Sequence, residues 1–391
     1  MLTLICWLIF IVVAIPLGIF VIECICSVFY KAPIVHEEQF HTNSSVILIP
    51  AHNEEQVIRN TLNTIIPQLA DSDRVLVIAD NCSDSTADIV RELGCDVTER
   101  FHETDRGKGF ALSHGLEVLT PNPPDVVIIV DADCQVQPGA IARIKAATLQ
   151  FQKPVQARYL LQSPEGAGIK TKVSEFAVFI KNKIRTKGLS VLGAPIPLLG
   201  SGMGFLWRDV TSVSLASGEI VEDMKLGIEL ADQGQGSLYD DGAVVLSELP
   251  VTEAALAKQR ERWEHGHMGM IQKFALPLIK NSLARTNPKL LLFGLDLAVP
   301  PLSLLLMFAV GVFLFFAFMQ IFIDLHGLLS AVAWLVFAVI SSVFIVWLLA
   351  AQHILKPSEL IHIPLYVLSK LGVYKGFVEK KQTTWNRTDR H

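Results

Sequence analysis

Apolar residues along this chain fall into two kinds of run. Short ones recur through the first half, at 46–49, 74–79, 96–99 and 126–130, and amphipathic stretches follow at 55–69, up to 93, and at 107–119. Strands of about five residues alternating with helices of about ten to fifteen predict βα units and a mostly parallel sheet. The run at 126–130 is apolar at every position, which predicts a central strand buried on both faces. Further strands are expected at 205–207 and 245–249, and a helix over 254–271.

The long runs are of a different order. Residues 2–22, 297–323 and 325–355 contain no Asp, Glu, Lys or Arg. Each suffices to cross a hydrocarbon core, which takes about 20 helical residues, so three spans are expected, with buried core helices as the alternative. The first has no basic leader and no small-residue cleavage site, which predicts a retained anchor. The apolar stretch 360–371 contains Pro364 and Lys370 and predicts an interfacial helix. The expected organisation is an anchor (1–30), an α/β catalytic domain (31–289), a transmembrane hairpin (290–355), and an interfacial helix with a basic tail (356–391).

Charge adds orientation. After Leu355 there are seven Lys or Arg against three acids, and none of either precedes the first span. The positive-inside rule places the tail, and across three crossings residues 31–289, in the cytoplasm. A multi-pass protein of a bacterial inner membrane is expected. A net charge of −5 argues against nucleic acid as a partner. Cys82, Cys95 and Cys134 would face a reducing compartment, and no zinc spacing appears.

Candidate chemistry clusters at the ends of the strands. Asn53 and Glu54 follow the first, Asp80 and Asp84 the second, and Asp131 and Asp133 the apolar run at 126–130. In open α/β sheets these carboxyl ends line one crevice. Asp131 and Asp133, one residue apart, offer two hard oxygen ligands suited to Mg2+ or Mn2+. The competing reading is that one of them caps the next helix. Lys108, between two glycines at a helix start, suits a phosphate seat or is simply part of a flexible turn. Glu222 and Asp223 begin a helix, where acids are favoured in any case. The stretch 170–187 mixes apolar residues with Lys170, Lys172, Lys181, Lys183, Arg185 and Lys187, which predicts a basic face for solvent or an anionic membrane. Gln259, Arg262 and Trp263 also read as an ordinary amphipathic surface with Trp263 in the core, and His265 and His267 as partners of polar groups.

In order, the pieces PAHNEE (50–55), DNCSDST (80–86), GKGFAL (107–112), DAD (131–133), GSG (200–202), ED (222–223) and QRERW (259–263) resemble the family 2 glycosyltransferases. These are membrane enzymes of GT-A fold that include cellulose, chitin and hyaluronan synthases. The resemblance implies a UDP-sugar donor whose uracil and ribose are held by Asn53, Glu54 and Asp80, and whose diphosphate is held by Lys108. It implies Asp131 at the nucleotide, Asp133 on the divalent metal, Asp223 as general base beside Glu222, and Gln259 and Arg262 at the donor. Ser201, Gly202 and Trp263 would meet the acceptor, and inversion at the anomeric carbon would follow. Trp385, Arg387 and Thr388 resemble the mobile segment that closes over the nucleotide in such synthases. A short basic tail drawn to anionic lipids is the alternative. Ala79 departs from the pattern, standing where many members carry an aspartate.

Two products fit this resemblance. One is a growing glycan made processively. The other is a single sugar added to a lipid-linked acceptor, as the small membrane part suggests. Three spans leave little wall for a polymer channel, so a channel would need a second copy of the chain. A scaffold with a dead transferase fold would show losses at Asp133, Asp223 or Lys108, and all three are present.

Overall fold

The computed structural model describes residues 2–379, and Trp385, Arg387 and Thr388 lie outside them. The described chain forms two compact units. A sheet unit comprises Lys31–Pro164 and Pro195–Ala255, and a helical unit comprises residues 2–30, Glu165–Ala194 and 256–379.

Eight strands make one sheet: β1 (Ser45–Ala51), β2 (Asp73–Asp80), β3 (Asp96–Arg100), β4 (Val126–Ile129), β5 (Gln135–Val136), β6 (Val155–Gln162), β7 (Met203–Leu206) and β8 (Leu238–Glu248). Their order is β3-β2-β1-β4-β7-β6-β8-β5. β3, β2, β1 and β4 are mutually parallel, as the βα pattern predicts. β7 then runs antiparallel to β4 and β6, and β5 antiparallel to β8, so the sheet is mixed. The chain steps outward from β1 to β3 and returns to place β4 on the other side of β1. This reversal is where such sheets open a ligand crevice.

The strands are driven together by burial on both faces. Val126, Val127, Ile128 and Ile129 of β4 are each 0% exposed. Val46, Leu48, Leu76, Ile78, Val127 and Ile129 share one core with Leu112 and Leu116 of the Lys108–Leu119 helix and with Leu226 and Leu230 of the Glu222–Asp232 helix. Each fully buried Leu or Ile stabilises by about 1.5–3 kcal/mol, so those two helices are held firmly with their N-termini at the strand ends.

β6 escapes the apolar pattern because Gln156, Arg158 and Gln162 interrupt it. Its partner β8 begins at Leu238, well before the apolar 245–249, because Asp240 and Asp241 lie within it. A register shift between Ala157 and Arg158 accommodates the pairing. β7 covers Met203–Leu206 rather than 205–207, since Trp207 opens a short helix.

The helical unit holds three helices long and apolar enough to cross a membrane: Thr3–Phe29, Leu302–Met319 and His326–Ala351. The first packs along the third, and the second against the third. Where a single interfacial helix is expected at 360–371, the chain forms two short helices, Ile363–Ser369 and Leu371–Glu379, broken at Lys370. Ile361, Leu365, Leu368 and Leu371 remain exposed there.

The basic stretch 170–187 is not a free basic face. It is a helix (Ile169–Phe179), a π-helical turn (Ile180–Arg185) and a further helix (Thr186–Val191). Lys172 Nζ lies 2.7 Å from Glu359 Oε1. Arg185 is buried, with Nε 2.6 Å from Glu23 Oε2 and Nη2 2.5 Å from Asp296 Oδ1. Sequence spacing could not reveal this, because the two acids come from distant helices.

Candidate active site

The loops that follow β1, β2 and β4, the segment before β7, and the starts of the Lys108–Leu119 and Glu222–Asp232 helices carry the sequence-predicted residues of the sheet unit. After β1, Asn53 adopts φ 55°, a left-handed conformation that asparagine tolerates. Its Oδ1 accepts from the Ser83 amide at 2.7 Å, tying the β1 and β2 loops together. The Glu54 amide donates to Thr86 Oγ1 at 2.8 Å. At the end of β2, Asp80 Oδ1 is 2.7 Å from Arg100 Nη1, and the Asn81 side-chain amide donates to the same oxygen at 3.1 Å. Arg100, at the end of β3, belongs to no recognisable motif, and only the strand pairing reveals its role in orienting Asp80.

Lys108 is the centre of the arrangement. Its Nζ lies 2.6 Å from Asp131 Oδ1 and 3.6 Å from Glu222 Oε1, and donates to the Gly200 carbonyl at 2.7 Å. Burial works against the charged ammonium, but Asp131, Glu222 and Asp223 outweigh it and hold the lysine above its ordinary pKa. Lys108 is therefore a permanent cation at the first turn of its helix, where backbone N–H groups also favour an anion. Packing explains the preceding motif as well. A Cβ on Gly109 would lie 2.5 Å from the Leu215 carbonyl, so the helix start can approach that segment only as glycine.

Glu222 and Asp223 open the Glu222–Asp232 helix and reach the same centre. Burial pushes the Glu222 carboxyl up to about 7, against the pull of Lys108 and with Asp223 adding to the rise. A carboxyl raised in the folded state contributes stability that is complete below its ordinary value and lost as pH rises through about 7. Glu222→Gln is thus expected to unfold like wild type near pH 4.5 and to be more stable above pH 7, by at most about 3 kcal/mol. Denaturant melts of both proteins across that range, without nucleotide or metal, check this. Equal stability at high pH would show that Glu222 ionises without cost.

Asp131 and Asp133 flank Ala132 in the turn that leaves β4. The Asp131 amide donates to Ser201 Oγ at 3.0 Å, and Ser247 Oγ donates to Asp133 Oδ2 at 2.7 Å. Ligand atoms of Asp131, Asp133 and Cys134 lie within 4.8 Å of one another. Cys134 does not fit a hard cation, because burial pushes its thiol up to about 12 and its Sγ lies 3.2 Å from Ser201 Oγ. The two carboxylates do fit Mg2+ or Mn2+. Ser247 could not be found from motif spacing, since β8 brings it to Asp133 from 114 residues away.

The loop 200–202 completes this set. Gly200 has φ +100°, and a Cβ built there would lie 3.4 Å from Asp223 Oδ2, 3.7 Å from Lys108 Nζ and 3.9 Å from Asp131 Oδ2. Gly202 also has positive φ, and Ser201 is fully buried. The structure thus brings together Lys108, Asp131, Gly200, Ser201, Glu222 and Asp223, with Asp133 beside Asp131. Asn53, Glu54 and Asp80 stand at the adjoining ends of β1 and β2.

Residues 46–209 match the family described as glycosyl transferase family 2. Over that stretch this chain is similar to the family 2 glycosyltransferases, in line with the resemblance of its motifs. Its mixed α/β sheet is the GT-A fold expected of that family. A probable glycosyltransferase of Bacillus subtilis, YdaM, is 24% identical over 386 residues, covering 88% of this chain and 86% of that protein. Glucomannan 4-beta-mannosyltransferase 7 of Arabidopsis thaliana is 25% identical over 256 residues, covering 60% of this chain and 45% of its own length. A solved mannosyltransferase from Pyrobaculum calidifontis, in complex with GDP-Man and Mn2+, is 15% identical with a TM-score of 0.49, covering 84% of this chain and 98% of that one.

Gln259, Arg262 and Trp263 lie beyond the matched stretch, on the Glu253–Met270 helix, and belong to the helical unit. Gln259 is 4% exposed, and its side-chain carbonyl accepts no hydrogen bond among the described residues. Trp263 is half-buried. Their neighbours Arg260 and Glu264 are buried in an ionic cluster, in which Glu264 Oε1 lies 3.1 Å from Lys370 Nζ and the Arg260 guanidinium stands 4.7 Å from the Tyr366 ring centre. His265 Nε2 lies 2.9 Å from the Val373 carbonyl, which agrees with its reading as a partner of a polar group.

Proposed function

We propose that this enzyme transfers a sugar, with inversion, from a UDP-sugar to a growing glycan at the cytoplasmic face of a bacterial inner membrane. The catalytic domain would be 31–289, tethered by the anchor 1–30 and the hairpin 290–355, with 356–391 at the interface. The observation that carries this reading is Lys108, a half-buried cation ringed by Asp131, Glu222 and Asp223 at the strand ends. It suits a diphosphate, and the acids suit the chemistry beside it. In this reading Asn53, Glu54 and Asp80 hold the nucleoside, and Asp131 and Asp133 would hold Mg2+ or Mn2+. Such a cation would neutralise charge on the leaving nucleoside diphosphate.

Asp223 takes the proton from the acceptor hydroxyl. The acceptor oxygen bonds to the anomeric carbon as the bond from that carbon to the diphosphate breaks, and the nucleoside diphosphate departs. Ser201 and Gly202 shape the acceptor side. The resemblance also assigns Gln259 and Arg262 to the donor and Trp263 to the acceptor, which substitution tests directly. A single addition to a lipid-linked acceptor is the second reading, favoured by a membrane part of three candidate spans.

The test is nucleotide release by detergent-purified protein, with a panel of UDP- and GDP-sugars and either metal, and products resolved by mass. Mannosyl donors belong in the panel because an Arabidopsis relative is named a mannosyltransferase. A ladder of product lengths with a UDP-sugar supports the first reading. One addition, only with a lipid acceptor, supports the second. Transfer from GDP-sugars alone would overturn the uridine assignment.

A further inference from the structure

Gln156 lies on β6, beside β7 and β8, and is 0% exposed. A buried carboxamide must satisfy a carbonyl and two N–H groups, and this one does so on a loop of the site rather than within its own strand pairing alone. Its Oε1 accepts from the Leu199 amide at 2.8 Å, and its Nε2 donates to the Ser201 carbonyl at 2.8 Å and to the Ala157 carbonyl at 2.9 Å. The backbone pairing that leads out of β7 reaches only as far as Gly202, whose amide bonds the Ile129 carbonyl at 2.9 Å and whose carbonyl accepts from Ala157 at 2.8 Å. Beyond it, the Gln156 side chain takes the place of a strand neighbour for Leu199–Ser201.

Between the two clipped residues stands Gly200, whose carbonyl accepts from Lys108 at 2.7 Å and whose Cα faces Asp223 and Asp131. Ser201 Oγ accepts from the Asp131 amide at 3.0 Å. Lys108, Asp131 and Asp223 are therefore spaced around three residues of backbone, and Gln156 grips that backbone on both sides.

We propose that Gln156 is a positioning residue of the transferase site: by clipping Leu199 and Ser201 it sets the place of Gly200, and through it the mutual placement of Lys108, Asp131 and Asp223. The proposal rests on the site reading given above. Misplacement by about 1 Å costs about 10²-fold in rate, so loosening the loop is felt in turnover.

The test uses full-length protein in detergent carrying Gln156→Leu, which removes all three hydrogen bonds at similar volume, and Gln156→Glu. Burial favours the neutral carboxyl in the latter, which keeps one donor and one acceptor. Hydrogen exchange of a peptide spanning 198–203 is read without substrate. Turnover is expressed per nucleotide-binding site, counted by calorimetry with UDP and Mn2+. For Gln156→Leu, exchange in the loop is expected to rise at least about tenfold while 126–130 stays protected. Its kcat per site should fall at least about tenfold, and Gln156→Glu should retain kcat within about threefold of wild type. Unchanged loop exchange, or full turnover per site in Gln156→Leu, would overturn the proposal and leave Gln156 a packing residue. Lys108→Met is the control. If it leaves UDP binding untouched, the site reading fails, whereas the loop exchange still decides the clip.

Discussion

Asp223→Asn is expected to lower kcat about 10³-fold while leaving affinity for the nucleoside diphosphate within about threefold, the range of effect for loss of a general base. The reasoning is geometric. Asp223 and Glu222 are adjacent in sequence at one helix start, yet their surroundings differ. Glu222 lies 3.6 Å from the Lys108 ammonium, and burial raises its carboxyl to about 7. Asp223 faces Gly200, with Oδ2 3.4 Å from where a Cβ would stand, on the loop assigned to the acceptor. Glu222→Gln removes a carboxylate from the lysine's surroundings and is expected to cost less in kcat. Steady-state transfer and separate nucleotide titrations divide the two effects. If Glu222→Gln lost 10³-fold and Asp223→Asn only a little, the base would be the glutamate, whose raised pKa also suits proton transfer near neutrality.

Arg185→Met should destabilise the helical unit by about 3–5 kcal/mol, the cost of removing one partner from a buried ion pair. Arg185 serves two acids at once, Glu23 of the Leu2–Cys26 helix and Asp296 of the Pro288–Leu297 helix. Without it, both carboxyls are left buried with no cation among these contacts. The helices are also in close contact at this level, since a Cβ on Gly188 would lie 1.9 Å from the Glu23 carbonyl. Thermal unfolding in detergent measures the loss. The triple variant with Glu23→Gln and Asp296→Asn should recover part of it, because the uncompensated charges are then gone. Wild-type stability in Arg185→Met would mean that the Leu2–Cys26 helix is held by apolar packing alone.

Sequence alone determined the βα half of the sheet, because the apolar runs at 46–49, 74–79 and 126–130 have no stable place except strands buried on both faces. It likewise marked three helices long and apolar enough to span a membrane, since a run of that length without charge is costly to leave in water. Strand ends are local features, so Asp80, Asp131 and Asp133 could be placed at one crevice from the pattern alone, whereas Glu222 and Asp223 joined them only through the family resemblance.

What the tertiary structure decided is everything that depends on partners distant in the chain. β6 and most of β8 carry polar residues whose burial only pairing makes tolerable, and they place Gln156 against Leu199–Ser201 and Ser247 against Asp133. Arg185 looked like one more residue of a basic stripe until Glu23 and Asp296 closed around it. Lys108 looked like part of a glycine turn until three acids and a carbonyl converged on it. A residue's type states which bonds it can make, and the packing of distant segments selects which of them it does make.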